Sequence, residues 1–283
     1  MPLLYKVRYL RENSFQRLYY TDDGRANDEA RDMSANLEPE LERDKTEATH
    51  PVTVSRWHAL RRLWRAQTIY TVALAAFAVL AIFAYLDPYF SWDLKVSHAF
   101  NWKTFTPPGL FPLMRAASVF GNSWTPYALT TLTVILFLLC GRRSEAFALT
   151  LCAGGSGLIN TIFKTLIARP RPAPDLIQSY VAPITNSFPS GHVTFYVTYF
   201  GFLFFTAYAL LPRGTPVRRI ALTLTALPVL LVGLSRIYLG AHWPSDTVGA
   251  YLWSGVWLGF SLWMYRRWKA RRTFYRKAVS SEQ

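Results

Sequence analysis

The chain has 283 residues, of which 51% are hydrophobic, 16% aromatic and only 17% charged. Soluble domains carry about 25% charged residues, so the composition argues against an ordinary soluble enzyme. The formal net charge is +14, and such an excess is typical of proteins that meet nucleic acid, an anionic membrane surface or an anionic substrate. The two cysteines, Cys140 and Cys152, lie in apolar segments, so neither a disulfide framework nor a metal cage is expected.

The first 66 residues are polar and mixed, and we predict that they form a separate cytoplasmic segment, 1–66. From Leu3 to Tyr20 aromatic residues alternate with Arg and Lys, which favours a short surface helix. Residues 22–47 are acidic and poor in large apolar side chains, so flexibility is expected there. A cleavable signal peptide is not expected, because the first apolar run begins too late.

Six apolar runs follow, each close to the roughly 20 residues that a helix needs to cross a bilayer. Six packed helices of a soluble protein are the alternative, but so many runs in a short chain favour a membrane domain over 67–265. We therefore predict an all-α fold, a bundle of six transmembrane helices. The runs lie near 67–86, 125–140, 145–168, 192–211, 219–236 and 247–265.

Basic residues are concentrated in alternate loops between these runs, and the positive-inside rule assigns such loops to the cytoplasm. Both termini are then cytoplasmic, and 266–283 forms a basic cytoplasmic tail. Topology and attraction to an anionic lipid bilayer explain the charge without a nucleic-acid partner. The loops 87–124, 169–191 and 237–246 face outward, and 109–123 is predicted to be a short helix in the outer interface.

Two of three polar stretches lie around the second outward loop. In KTLIARPRP, Lys164 closes the third run and could simply extend its amine to the interface. Arg171, held between two prolines, is preorganised to bind an anion. In FPSGH, Ser190 suits a helix N-cap and Gly191 lets an anion approach the backbone at a helix N-terminus. His192 adds nothing to such a cap and therefore suggests a functional role.

The third stretch, SRIYLGAHWPSD, surrounds the last outward loop. Arg236 ends the fifth run, His242 lies in the loop, and Pro244 suits the first turn of the next helix. Asp246 could merely favour the helix dipole. It is also within reach of one ring nitrogen of His242, which would leave the other lone pair facing a ligand. Charged groups at membrane depth are costly, and cations without a matching acidic set favour an anionic ligand.

These stretches resemble the type 2 phosphatidic acid phosphatase (PAP2) superfamily, which includes vanadium haloperoxidases and bacterial lipid phosphatases. The family pattern is Lys, six residues, Arg-Pro; then Pro-Ser-Gly-His; then Ser-Arg, five residues, His, three residues, Asp. The resemblance covers about residues 67–265, and every motif position is matched. The matching residues are Lys164, Arg171, Pro172, Pro189, Ser190, Gly191, His192, Ser235, Arg236, His242 and Asp246.

The resemblance implies a six-helix bundle of the PAP2 type and a role for each motif residue. His242 would be the nucleophile that forms a phosphohistidine, and Asp246 would orient and charge its imidazole. His192 would protonate the leaving group and then activate water. No metal and no other cofactor is expected. The implied ligands of the phosphoryl oxygens are Lys164, Arg171, Arg236, Ser190 and the Gly191 N–H.

The implied protein is a multi-pass lipid phosphatase of the bacterial inner membrane, with its site facing outward and no obligatory protein partner. Its substrate would be a membrane lipid phosphate: polyprenyl diphosphate, phosphatidylglycerophosphate, phosphatidate and a lipid A phosphate all remain open. A phosphotransferase and a non-catalytic lipid-binding protein are the alternatives. A haloperoxidase is disfavoured because those relatives are soluble, and a transporter because we see no charged residue at mid-depth in a span.

Overall fold

The computed structural model describes residues 56–180 and 185–281, with side chains described for 64–65, 67–180 and 185–270. The chain divides into two units, Met1–Arg65 and Ala66–Gln283, and the second contains every predicted site residue. The predictions for 3–20 and 22–47 fall on residues outside the described ranges.

All regular secondary structure in the described part of the chain is helical and no strand occurs there, so the all-α prediction is confirmed. A single 3-10 turn, Val119–Gly121, follows α3, and a π-helical turn, Thr150–Gly154, joins α5 to α6. The α-helices are α1 Arg56–Leu86, α2 Ser91–Ala99, α3 Leu110–Ser118, α4 Thr125–Leu139, α5 Arg143–Leu149, α6 Gly155–Ile167, α7 Gly191–Leu210, α8 Pro216–Tyr238 and α9 Pro244–Ser281.

Four helical stretches of the described chain are long and apolar enough to cross a membrane. They are Gln67–Leu86, Arg143–Ile167, Gly191–Leu210 and Pro216–Tyr238, and they coincide with four of the predicted runs. The chain is therefore an integral membrane protein. The 15 residues of α4 extend over about 22 Å, less than the roughly 30 Å of a bilayer core. The last helix, α9, is not among the four, because its Trp, Tyr, Gly and Ser residues lower its mean hydropathy. Six spans with cytoplasmic termini therefore stay a prediction.

The last helix extends further than the predicted membrane domain. Pro244 occupies its first position, as predicted, since the missing N–H of proline costs nothing there. The helix continues past residue 265 to Ser281, because Arg, Lys and Ala are good helix formers and no Gly or Pro interrupts this stretch. The basic segment predicted as a separate tail is thus helical up to residue 281.

The core lies where α7 packs against α8 and α9. Tyr196 and Phe202 of α7, Val232 of α8 and Ala250 of α9 are completely buried there. These side chains pack against one another between the helices, and this packing fixes the helices relative to one another. Both α7 and α9 begin at the same end of this core, so their first turns are held close together.

Two further contacts attach the neighbouring segments to this end. Thr194 of α7 donates a hydrogen bond to Asn160 of α6 over 2.9 Å. A Cβ on Gly249 would lie 2.6 Å from the Phe188 ring, so only glycine lets that ring pack on α9.

The helix predicted at 109–123 is present as α3 and the 3-10 turn, while its place at the membrane interface stays a prediction.

Candidate active site

All eight predicted site residues lie at the end of the bundle where α6 and α8 finish and α7 and α9 begin. The backbone N–H of Ser190 donates to the carbonyl of Asp246 over 3.2 Å, which joins the start of α7 to the start of α9. Gly191 lies against the Lys164 side chain, whose Cε is 3.9 Å from the position of a Cβ on that glycine. The three polar stretches therefore form one site.

His242 lies between a carboxylate and a guanidinium. Its Nδ1 is 3.3 Å from Asp246 Oδ2, and its Nε2 is 3.1 Å from an Nη of Arg171. Because a guanidinium only donates hydrogen bonds, Nε2 must be the acceptor and Nδ1 must carry the ring proton toward the carboxylate. We infer this tautomer from the hydrogen bonds. The basic lone pair of His242 therefore faces the cationic side of the site.

The neutral form of His242 is strongly favoured. Burial lowers the pKa of this imidazole well below its ordinary value of 6.5, and the neighbouring Arg171, Lys164 and Arg236 lower it further. A desolvated ring next to positive charges resists protonation because its charged form loses hydration and is repelled. The ring consequently keeps an unprotonated lone pair at neutral pH, which is what a nucleophile needs.

Two of the cations are held by neutral partners. Lys164 Nζ donates to the carbonyls of Asn186 and Ser187, the latter over 3.4 Å. Arg171 donates to the carbonyl of Thr185 over 2.6 Å and to its hydroxyl over 3.1 Å. Burial lowers the pKa of Arg171 to about 10, which still leaves it protonated at neutral pH. Carbonyls hold both side chains in place without forming an ion pair with them, and the charge of Arg171 stays available to an anion.

Two polar atoms at the centre of the site are buried and have no hydrogen-bond partner within the described ranges, namely Ser190 Oγ and Arg236 Nε. Ser190 occupies the N-cap position of α7, as expected, but its hydroxyl makes no capping bond. Arg236 donates from an Nη to Ser118 Oγ over 3.3 Å. Burying an unpaired polar group costs about 1–3 kcal/mol, so both groups are well suited to a ligand that accepts their hydrogen bonds.

His192, the second predicted catalytic histidine, contacts the segment that follows α3. Its Nε2 is 2.8 Å from Asn122 Oδ1. A Cβ on Gly121 would lie only 2.2 Å from Cδ2 of this ring, so glycine is required where the 3-10 turn meets the imidazole. Sequence reasoning missed both partners, because residues 87–124, which are predicted to face outward and are called the outer segment below, contain no motif.

A buried ionic group behind His242 was also missed. Arg169 contacts Asp246 over 2.7 Å and Asp93 over 2.9 Å, and all three side chains are 0% exposed. Ser187 donates a short hydrogen bond to the same Asp246 carboxylate. The available signal was the repeated Arg-Pro at 169–172. It contains a second arginine, Arg169, beside the motif residue Arg171, and the two arginines could have been expected to have different partners.

A cavity of about 450 Å³ opens beside Arg236, and it is large enough for a phosphorylated headgroup. Its lining includes Arg236 and Asn122 from the site and Arg115 from α3, together with apolar side chains. Within the described residues, no cluster of three or more His, Cys, Asp or Glu side chains is arranged to hold a metal ion.

Residues 145–270 match the family model of the PAP2 superfamily. The fold is similar to the crystal structure of the first transmembrane PAP2 type phosphatidylglycerolphosphate phosphatase from Bacillus subtilis. The TM-score is 0.61 at 21% identity, over 70% of this chain and 96% of that one. Aquifex aeolicus LpxE matches with a TM-score of 0.44 and 25% identity, over 61% of this chain and 96% of that one. None of the curated proteins matches the chain.

Proposed function

The chain belongs to the PAP2 superfamily, and on that premise we propose that it is an integral-membrane lipid phosphatase. It removes phosphate from a lipid phosphate or diphosphate through a phosphohistidine on His242. The observation that carries this proposal is the set of groups that surround the lone pair of His242. Lys164, Arg171 and Arg236 meet there, and Ser190 adds a buried hydroxyl without a partner among the described residues.

The cationic groups fit a phosphoryl group because its transition state spreads negative charge over three equatorial oxygens. Preorganised donors around such a centre stabilise the charge as it develops, and one donor is worth about 10²–10³ in rate. The unpaired Ser190 Oγ and Arg236 Nε supply two donors. The first N–H groups of α7, beginning with Gly191, add further donors and the positive end of the helix dipole.

In the first step, His242 Nε2 attacks phosphorus and the bond from phosphorus to the leaving oxygen breaks. His192 gives its proton to that oxygen. The guanidinium of Arg171, now 3.1 Å from Nε2, moves onto a phosphoryl oxygen as the new bond forms. Asp246 accepts from Nδ1 and stabilises the positive charge that the ring acquires.

In the second step, water attacks the phosphohistidine and His192 takes the proton from that water. The bond from phosphorus to Nε2 breaks, and inorganic phosphate leaves with His242 neutral again. Dividing the reaction in this way replaces one high barrier by two lower ones.

The substrate is a lipid phosphate that reaches the site from the bilayer. The site is formed at the ends of spanning helices, and the cavity of about 450 Å³ beside Arg236 adjoins it. We place this end of the bundle at the outer face of the bacterial inner membrane, since the basic loops mark the opposite side as cytoplasmic. Polyprenyl diphosphate, phosphatidylglycerophosphate, phosphatidate and a lipid A phosphate are the substrates to compare.

The test is phosphate release by the purified protein in detergent from these four lipids, with EDTA present and absent. We expect release from at least one lipid, unchanged by EDTA, and none from a matched His242→Ala preparation. Equal release by wild type and His242→Ala protein would refute the assigned nucleophile. Adding a labelled acceptor lipid separates hydrolysis from phosphotransfer, because a transferase would label the acceptor.

A further inference from the structure

A row of three buried charges lies behind the catalytic imidazole, on the side away from the cations. Asp93 comes from α2 in the outer segment, Arg169 from the loop after α6, and Asp246 from the first turn of α9. Arg169 donates to Asp93 over 2.9 Å and to Asp246 over 2.7 Å, and all three side chains are 0% exposed. The other oxygen of Asp246 faces His242 Nδ1.

Every charged group in this row has several hydrogen-bond partners. Asp93 accepts from the Ser245 N–H over 2.8 Å and from the Ser245 hydroxyl over 2.6 Å. Arg169 donates through Nε to the carbonyl of Pro88 over 3.1 Å, and its guanidinium lies 4.8 Å from the centre of the Phe90 ring. Buried ions are tolerated when their remaining donors and acceptors are satisfied in this way. The row is therefore a fixed arrangement.

The charges of the row explain why Asp93 is needed. Arg169 alone would neutralise Asp246 and weaken its effect on the imidazole. Asp93 supplies a second negative charge to the same guanidinium, so the row contains two carboxylates and one guanidinium and keeps a net negative charge toward His242. At low dielectric such neighbouring charges interact strongly.

We propose that Asp93 and Arg169 are positioning residues of the phosphatase reaction, which hold Asp246 in place and set its negative potential at His242. The inference rests on the proposed function. Asp93 lies outside the stretch 145–270 that matches the family model, so the outer segment contributes a residue to the nucleophile's surroundings that the matched stretch does not contain.

A purely structural role is the rival explanation, since a buried ion cluster also ties α2 to α9. The two explanations differ in what Asp93→Asn and Arg169→Gln do to the acidic limb of the pH profile of kcat/KM, which reports the essential groups of the free enzyme. Removing the negative charge of Asp93 should move this limb to lower pH. Removing the positive charge of Arg169 should move it to higher pH. The groups facing His242 besides the row, unchanged in both variants, are Lys164, Arg171, Arg236 and His192.

The experiment compares both single variants, the double variant Asp93→Asn/Arg169→Gln and the control Asp87→Asn, whose carboxylate is exposed at the end of α1. For Asp93→Asn we expect kcat to fall about 10- to 100-fold with KM nearly constant, as when partners that orient a histidine ligand are removed. The double variant should have a higher kcat than Asp93→Asn, because it no longer contains the guanidinium that neutralises Asp246. Asp87→Asn should match wild type.

Any one of three results would overturn the inference. The first is a kcat of Asp93→Asn within twofold of wild type, and the second is acidic limbs that shift in the same direction in both single variants. The third is a double variant whose kcat is no higher than that of Asp93→Asn. Should Asp93→Asn not fold, Arg169→Lys carries the test, since it keeps the charge but loses the two-sided contact. A kcat reduced about 10-fold or more at unchanged KM would support the role, and wild-type kcat would refute it. Inactivity of the wild type on every lipid would instead refute the proposed function.

Discussion

The two histidines of the site have opposite surroundings. His242 is 1% exposed and bonds to the carboxylate of Asp246, which in turn contacts Arg169. His192 is half-buried and bonds to the neutral amide of Asn122. One ring thus belongs to an ionic network, and the other contacts the residue that follows the 3-10 turn Val119–Gly121.

This difference matches two kinds of chemistry. A carboxylate on Nδ1 fixes the tautomer of His242 and stabilises a positive ring, which suits a nucleophile that becomes phosphorylated. His192 contacts an uncharged amide through one hydrogen bond, which leaves the ring available to give up a proton and later take one. The ionic network around His242 should therefore control the formation of the covalent intermediate. The contact of His192 with Asn122 should control the proton transfers.

The largest expected effect separates the two rings directly. His242→Ala should lower kcat at least about 10⁴-fold, because the nucleophile is lost. His192→Ala should cost about 10²–10⁴-fold, the usual worth of general acid–base catalysis. Both are measured as phosphate release per folded molecule in detergent. On a substrate with a very good leaving group, His192→Ala should still release that group in a single turnover, since the first step then needs no acid. Failure to release it, as expected of His242→Ala, would contradict the separation.

Gly121→Ala tests the contact that holds His192 from the outside. The new methyl group would lie 2.2 Å from Cδ2 of the ring, so the imidazole must move, and a displacement of about 1 Å can cost about 10²-fold in kcat. Gly157→Ala is the matched control, because a Cβ there meets nothing within 4 Å. Equal kcat values for the two variants would show that the ring tolerates displacement.

Asn122→Ala should have a smaller effect, because it removes one neutral hydrogen bond from His192. A loss of about 1 kcal/mol predicts a decrease of roughly fivefold in kcat, with little change in KM. Steady-state kinetics on the preferred lipid measure it. A decrease as large as that of His192→Ala would mean that this hydrogen bond is indispensable for the position of the ring, which contradicts the small effect expected here.

The pH dependence of the ionic side gives the smallest but most specific signal. Burial and the nearby cations lower the pKa of His242 well below 6.5, so the imidazole is neutral above that lowered pKa and loses its lone pair only below it. The part of the acidic limb of kcat/KM that depends on His242 should thus lie below pH 6.5. An acidic limb that is centred above pH 6.5 and shifts in Asp93→Asn and Arg169→Gln would contradict this.

The sequence allowed the all-α fold and the convergence of the motif residues to be predicted, because both depend on short local patterns. An apolar run about 20 residues long, or a proline at a helix start, needs no distant partner to be interpreted. Gly191 and Pro244 indeed begin α7 and α9. Asp93 gave no such signal, since in sequence it is only an acidic residue in the first turn of a short helix.

The partners of Asp93 and Arg169 could not be predicted for a related reason. Asp93 lies 76 residues from Arg169 and 152 from Ser245 along the chain, and no local rule connects such positions. Asn122 lies 70 residues from His192. Their places depend on how the outer segment folds over the bundle, which is a matter of tertiary packing.

Trapping the phosphorylated enzyme tests the central claim most directly. Wild-type protein mixed with a lipid phosphate labelled in its phosphoryl group should be quenched within milliseconds to seconds, digested and mapped by mass spectrometry. We predict an acid-labile, base-stable phosphate on the peptide that contains His242, and no labelled peptide from His242→Ala. A label on His192, or a label that persists in the His242→Ala protein, would contradict the assignment of His242 as the nucleophile.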